Sequence, residues 1–334
     1  MLANRLQKRF RHLKKWAQCE RIGAFRLYDR DIPEIPLVLD FYGDCNLLCE
    51  AALCGALYRR PYEKDETEET IWLEAMKESA AATLIIKPDN VFIKRRQKQK
   101  GLSQYEKTRG ERFEKTVNEG GLLFKVNLSD YIDTGLFIDR RKLRDIIRVQ
   151  AAGKKVLNLF SYTGSFSVSA AAGGAASTDS VDLSNTYLKW AKENFELNNL
   201  TADFFNKNKT TAHRLIRADV LEFINESIKD KARWDIIVLD PPAFSNSKKM
   251  SDNFDLNREL EDMLDQCVTL LAPEGKLFLS VNLKRNAPQA QELETRLCSH
   301  RENVRVTDLS KAITDEDFKD RKIPKAFLID FILT

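Results

Sequence analysis

From Asp139 onward, short apolar runs alternate with stretches of helical period, and this rhythm constrains the fold more tightly than anything else in the sequence. Strands are expected over 156–160, 176–183, 214–218, 234–239, 276–281, 304–309 and 325–333. Helices are expected between them, over 140–152, 164–172, 185–198, 220–228, 256–271 and 289–299. A helical crossover returns each strand to the same end of the sheet, so strands connected in this way pair in parallel. The predicted architecture is α/β, a doubly wound and mostly parallel sheet whose last strand is a candidate for antiparallel pairing. Residues 1–138 read differently. A helix near 3–20, strands near 37–42, 90–94 and 122–128, and a helix over 68–82 describe a small α+β domain ahead of the sheet. The expected division is therefore 1–138 and 139–334.

A doubly wound sheet binds ligands at the carboxyl ends of its strands, where the strand order reverses. The first predicted strand enters its turn there through Asn158-Leu-Phe160-Ser161-Tyr162-Thr163-Gly164. A dinucleotide site needs several glycines so that backbone can approach a pyrophosphate, and this turn has one. Its polar side chains suit the carboxylate, amine and ribose of S-adenosylmethionine (SAM), which has no phosphate. The second strand ends in Asp182-Leu183-Ser184, placing an acid to accept from both ribose hydroxyls. Ser184 is a natural cap for the next helix. After the third strand, Asp219-Val220 offers an N-cap, a contact to the adenine amine, or both at once. The fourth strand runs into Asp240-Pro241-Pro242-Ala-Phe244, whose prolines fix φ and hold the backbone rigid at the cleft. Phe244 is placed to stack on a base flipped out of its helix, and Asn246 or Asn282 could read its edge. Asp240, Pro241, Pro242 and Phe244 are thus the candidate catalytic residues. Asn158, Phe160 through Gly164, Asp182 through Ser184, Asp219, Val220 and Asp240 are the candidate cofactor residues.

Net charge is +4, but it is unevenly spread. Residues 1–30 hold nine lysines and arginines against two acids, and residues 94–112 hold eight against two, so the rest of the chain is net −9. Clustered cations of this kind are the footprint of a polyanion site, with solvated basic faces as the alternative. Arg5, Lys8, Arg9, Lys94, Arg95, Arg96, Lys98 and Lys100 are the candidate RNA contacts. Leu6, Phe10, Leu13 and Ala17 form a narrow apolar stripe on the first helix, which fits packing on its own domain or a membrane surface. No apolar run approaches the roughly 20 residues that span a bilayer, and no apolar segment follows the basic N-terminus, so a cytoplasmic protein is expected. Cys45, Cys49 and Cys54 cluster without a C-x-x-C pair and read as buried, inert thiols in the apolar stretch 47–53; no metal is expected.

Asn158-Leu-Phe-Ser-Tyr-Thr-Gly164, Val181-Asp-Leu-Ser-Asn-Thr-Tyr187 and Asp240-Pro-Pro-Ala-Phe-Ser-Asn-Ser-Lys-Lys-Met250 resemble the C-terminal half of the fused bacterial 23S rRNA guanine methyltransferases, the RlmKL family. Asp133-Thr-Gly-Leu-Phe-Ile-Asp139 and Asn4-Arg-Leu-Gln-Lys8 are similar too, so the resemblance covers nearly the whole chain. It implies a class I SAM-methyltransferase fold, a basic N-terminal subdomain for rRNA, and transfer to guanine N7. It also implies 23S rRNA or a ribosomal precursor particle as partner. This sequence does not contain the THUMP domain and guanine-N2 half that precede this part in the fused proteins, which leaves a standalone protein and an excised half both open, with a separate guanine-N2 half as a candidate partner. Related 5-methylcytosine enzymes carry a nucleophilic cysteine at the end of the fifth strand, where this chain has Phe278-Leu-Ser-Val281-Asn. That valine argues against 5-methylcytosine chemistry. Guanine-N2 transfer stays open, an NAD-linked oxidoreductase is disfavoured by the single glycine, and a non-catalytic RNA-binding module would need a degenerate cofactor pocket.

Overall fold

The computed structural model describes the chain except residues 59–64, 96–111, 207–210, 246–253, 284–286, 301, 320, 322 and 333–334. It forms two compact units, Met1–Ile138 with Glu316–Lys319, and Asp139–Asp315 with Asp320–Thr334.

In the first unit, helix α1 (Leu2–Cys19) buries Leu2, Leu6, Phe10, Leu13 and Ala17, the i, i+4 stripe that the sequence offered. That stripe packs into a core with Phe25, Phe41, Leu53 and Leu73. The core's sheet is β1 (Ala24–Asp29), β2 (Leu37–Tyr42), β3 (Ala52–Leu57) and β4 (Val91–Arg95), antiparallel except for the last pair. Strand β3 takes up residues that composition presented only as an apolar stretch around the cysteines. Gly55 makes it possible: a Cβ there would stand 1.9 Å from the Val38 carbonyl oxygen of the neighbouring strand. Helix α2 (Glu66–Leu84) is capped by Asp65, which accepts from the N–H groups of Thr67 and Glu68. Strands β5 (Glu114–Glu119) and β6 (Leu122–Asn127) form a hairpin. Cys45 and Cys54 are buried, and burial pushes each thiol up to about 11. Cys49 is exposed, against expectation, because Leu48–Glu50 form a short 3-10 turn with no buried residue.

Residues Glu316–Lys319 join this unit from far along the chain, which nothing in the sequence announced. Arg9 donates to the carbonyls of Glu316 (3.3 Å) and Asp317 (3.0 Å), and the Asp317 carboxylate accepts from the Arg26 N–H at 2.9 Å.

The second unit follows the predicted alternation. Its elements are α3 (Arg141–Gln150), β7 (Lys155–Leu159), α4 (Ser165–Ala172), β8 (Ser177–Asp182), α5 (Asn185–Leu197), β9 (Ala202–Phe204), β10 (His213–Arg217), α6 (Val220–Lys229) and β11 (Trp234–Leu239). There follow a two-residue ladder of β12 (Phe244–Ser245) with β13 (Phe254–Asp255), then α7 (Leu256–Thr269), β14 (Leu271–Val281), α8 (Ala290–His300), β15 (Val304–Asp308) and β16 (Lys325–Phe331). The sheet order is β15-β16-β14-β11-β7-β8-β10-β9. Strands β9, β10, β8, β7, β11 and β14 run parallel, while β16 inserts antiparallel between β14 and β15. From β7 the chain winds outward through β8, then returns to β11 on the other side. The switch therefore lies between β7 and β11, and their carboxyl ends face one crevice.

Candidate active site

The turn after β7 is held in an unfavourable backbone. Phe160 and Tyr162 adopt left-handed conformations, φ 55° and 50°, and Gly164 follows at 73°. A left-handed aromatic residue costs about 1–2 kcal/mol, so the turn must be fixed by what surrounds it. The Ser161 N–H donates to the Val181 carbonyl (2.9 Å), and Asn194 of α5 donates to the Thr163 carbonyl (2.9 Å). Asp182 supplies the third tie. Its Oδ2 accepts from the Tyr162 N–H at 2.9 Å while Oδ1 accepts from the Ser184 N–H at 2.8 Å. Helix α5 lies so close that a Cβ on Gly164 would meet the Ala191 Cβ at 2.7 Å.

Beneath the turn, Asn158 Nδ2 and the Ser180 hydroxyl both reach the Ser167 hydroxyl, at 2.9 and 2.7 Å. Asn158 Oδ1 and the Ser161 hydroxyl are buried and, among the described residues, take no hydrogen bond. A buried polar atom left unpaired costs about 1–3 kcal/mol, so two at the mouth of one strand mark a place for a ligand's polar groups. These residues fit the amine and carboxylate of SAM. Asp182 fits its ribose: each oxygen already takes one backbone N–H and retains a lone pair for a hydroxyl. Burial raises the Asp182 carboxyl to about 6, with the Ser184 and Tyr162 N–H groups opposing the shift.

The other predicted cofactor residues are placed along the same edge. The Ser184 hydroxyl caps α5 by accepting from the Tyr187 N–H (3.3 Å), and the half-buried Leu183 lies between it and Asp182. Asp219 Oδ1 caps α6 through the N–H groups of Leu221 and Glu222, and Val220 turns its side chain into the core.

Asp240, first residue beyond β11, has a partner that sequence reasoning missed. Arg140, at the N-cap of α3, is 5% exposed and donates from Nη2 to Asp240 Oδ1 at 3.1 Å. Its Nη1 pairs with Asp139 at 2.9 Å. Burial alone would lower this guanidinium, but Asp139 and Asp240 outweigh it and hold it above its ordinary value. Arg141 and Arg144 of α3 are enclosed too, Arg141 on Asp315 at 2.8 Å. Pro241 is buried and Pro242 half-buried, and the Phe244 backbone pairs with Asp255. Asn282 is exposed at the end of β14, and Asn246 lies outside the described residues.

In the first unit, several candidate RNA contacts have internal partners. Arg5 pairs with Asp31, Arg9 holds the 316–319 segment, Lys94 donates to the Tyr131 carbonyl, and Arg95 reaches Glu66 (3.3 Å) and Thr70 (2.7 Å). Arg96, Lys98 and Lys100 lie outside the described residues. Lys8 is exposed, as are Arg11 and Lys15, and successive steps of three and four residues put all three on the helix face opposite the buried stripe.

The family model for S-adenosylmethionine-dependent methyltransferases matches residues 44–304. Ribosomal RNA large subunit methyltransferase K of Neisseria meningitidis is 44% identical over 98% of this chain and 86% of its own length. Ribosomal RNA large subunit methyltransferase K/L of Hahella chejuensis is 44% identical over 85% of this chain, which spans 37% of that longer protein. Among solved structures, the methyltransferase SMU.776, in complex with SAH, shares the fold at TM-score 0.71 and 23% identity, over 98% of this chain and 80% of its own. On this match and this identity, the chain belongs to the S-adenosylmethionine-dependent methyltransferase family that includes methyltransferase K, and SAM is its cofactor.

Proposed function

We propose that this chain transfers a methyl group to N7 of a guanine in 23S ribosomal RNA. The names of its relatives support the RNA, the resemblance of its motifs to the guanine-N7 half supports the atom, and the placement of its thiols argues against cytosine C5. Cytosine C5 becomes nucleophilic only after a thiolate adds to the ring. At the matching position Val281 is 1% exposed and packed in the core. Of the two cysteines in this unit, Cys267 is fully buried, with burial pushing its thiol far up, and Cys298 on α8 is directed to the Val304 carbonyl at 3.4 Å. Neither stands at a strand's carboxyl end.

Guanine N7 needs no such help, since its lone pair is available at neutral pH. Bound SAM supplies an electrophilic methyl group on a sulfonium. The chain's part is to hold the base in line, where orientation supplies several kcal/mol of the barrier by order of magnitude. Asp240 and the Pro241-Pro242 backbone position the base, and stacking is the role assigned to Phe244, whose side chain lies outside the described ones. As the methyl arrives, the ring takes on positive charge, which suits a carboxylate such as Asp240 beside it. The face of Lys8, Arg11 and Lys15 is where phosphates bind, in naked 23S rRNA or a precursor particle in the cytoplasm, with a separate guanine-N2 half acting on the same RNA. Borohydride reduction and aniline scission, which cut RNA at 7-methylguanosine, test the reading. One strong new cut in 23S rRNA after incubation with SAM is expected; methyl incorporation without a cut rejects N7.

A further inference from the structure

Local helix chemistry does not account for Arg140. It occupies the N-cap of α3, where Ser, Thr, Asp or Asn would bond the first-turn N–H groups, and it forms no side-chain cap. The first turn of α3 has no acid, so a cation sits at the positive end of the helix dipole. Yet its surroundings fix it firmly. Arg141 beside it is bound to the buried Asp315, and Leu143 and Ile147 anchor the same helix in the core. Besides Asp139, the arginine reaches the carboxylate at the switch point. A residue before proline is confined to extended backbone, so Pro241 sets the main chain of Asp240 but leaves its side chain free to rotate. The Arg140 fork removes that freedom through Oδ1. Oδ2 accepts no hydrogen bond among the described residues, and the Asp240 side chain keeps 14% of its surface open.

We propose that Arg140 is a positioning residue for methyl transfer: shared between Asp139 and Asp240, it pins one oxygen of Asp240 so that the other is presented to the substrate base. The role rests on the reading of Asp240 given above. It requires a fork rather than a point charge, because one planar guanidinium engages two carboxylates through different nitrogens.

The test measures kcat on 23S rRNA, Kd for SAM by calorimetry, and thermal melting for the wild type, R140Q, R140K, D240N and R140Q/D240N. A misplaced catalytic group costs about 100-fold, so R140Q should lose roughly that in kcat while its Kd for SAM stays within about twofold. R140K should recover about tenfold of the loss, and the double variant should be no slower than D240N. If R140Q melts too early to assay, R140K carries the test, with kcat about tenfold below wild type at unchanged SAM affinity. Wild-type kcat in either variant, losses that multiply in the double variant, or a Kd for SAM that rises in step with the loss would each overturn the positioning role. A wild-type chain inactive on rRNA would instead overturn the proposed reaction, and this role with it.

Discussion

Asp182 ties the turn through two backbone N–H groups, and in the proposed site it also holds the ribose, two tasks that pH separates. Its carboxyl stands near 6 because burial disfavours the charge more than two backbone donors restore it. Ribose hydroxyls donate to the ionised form, so SAM affinity should be complete above about pH 6 and fall as pH drops through that value. Stability runs the other way. Unfolded, the group titrates near 4, so its ionisation in the fold weakens the unit as pH rises from about 4 to 6. Asp182→Asn should weaken SAM binding at pH 7.5 by about 10- to 100-fold, the worth of hydrogen bonds to a charged group, and flatten the pH profile. Calorimetry between pH 5 and 8 checks this; a wild-type profile that is already flat contradicts it. The place of Asp182 at the end of β8 was legible because the strand pattern fixes where the second strand stops. Arg140 was not, since a basic residue opening a helix reads as solvated, and only the packing of α3 shows what it reaches.

At the scale of elements, the cofactor turn is strained, and α5 holds it in place. Gly164→Ala would keep φ at 73° with a Cβ and bring it to 2.7 Å from the Ala191 Cβ. A loss of about 1–3 kcal/mol in urea-monitored stability is expected, with weaker SAM binding. Ala191→Gly in the same chain should recover the steric part but not the backbone part; full recovery would show that the left-handed backbone costs nothing. Alternation located the large parallel sheet because its helices and strands are separated by polar breaks. Short elements escaped it: β9 has three residues, and β12 and β13 have two each. Strand β1 was hidden too, its burial running in pairs across a register shift between Arg26 and Tyr28 rather than alternating.

For the molecule as a whole, charge was legible in amount but not in direction. Helix α1 carries no acid, and its exposed cations point away from a buried stripe that accounts for the helix without a membrane. Among the described residues, no helix is long and apolar enough to cross one. Replacing Lys8, Arg11 and Lys15 together by alanine should lower the slope of log affinity for rRNA against log salt by about 2–3, close to one for each phosphate no longer neutralised. An unchanged slope would remove this face from the RNA interface. Arg9 and Lys94 look equivalent to these in sequence, yet each donates to backbone carbonyls of its own unit, so alanine there should lower melting temperature before it touches the salt slope. The atom methylated is the point on which the rest depends. Nucleoside mass spectrometry of 23S rRNA, unmodified beforehand and incubated with the chain and SAM, should reveal 7-methylguanosine approaching one per molecule; 5-methylcytosine or N2-methylguanosine in its place would contradict the assignment.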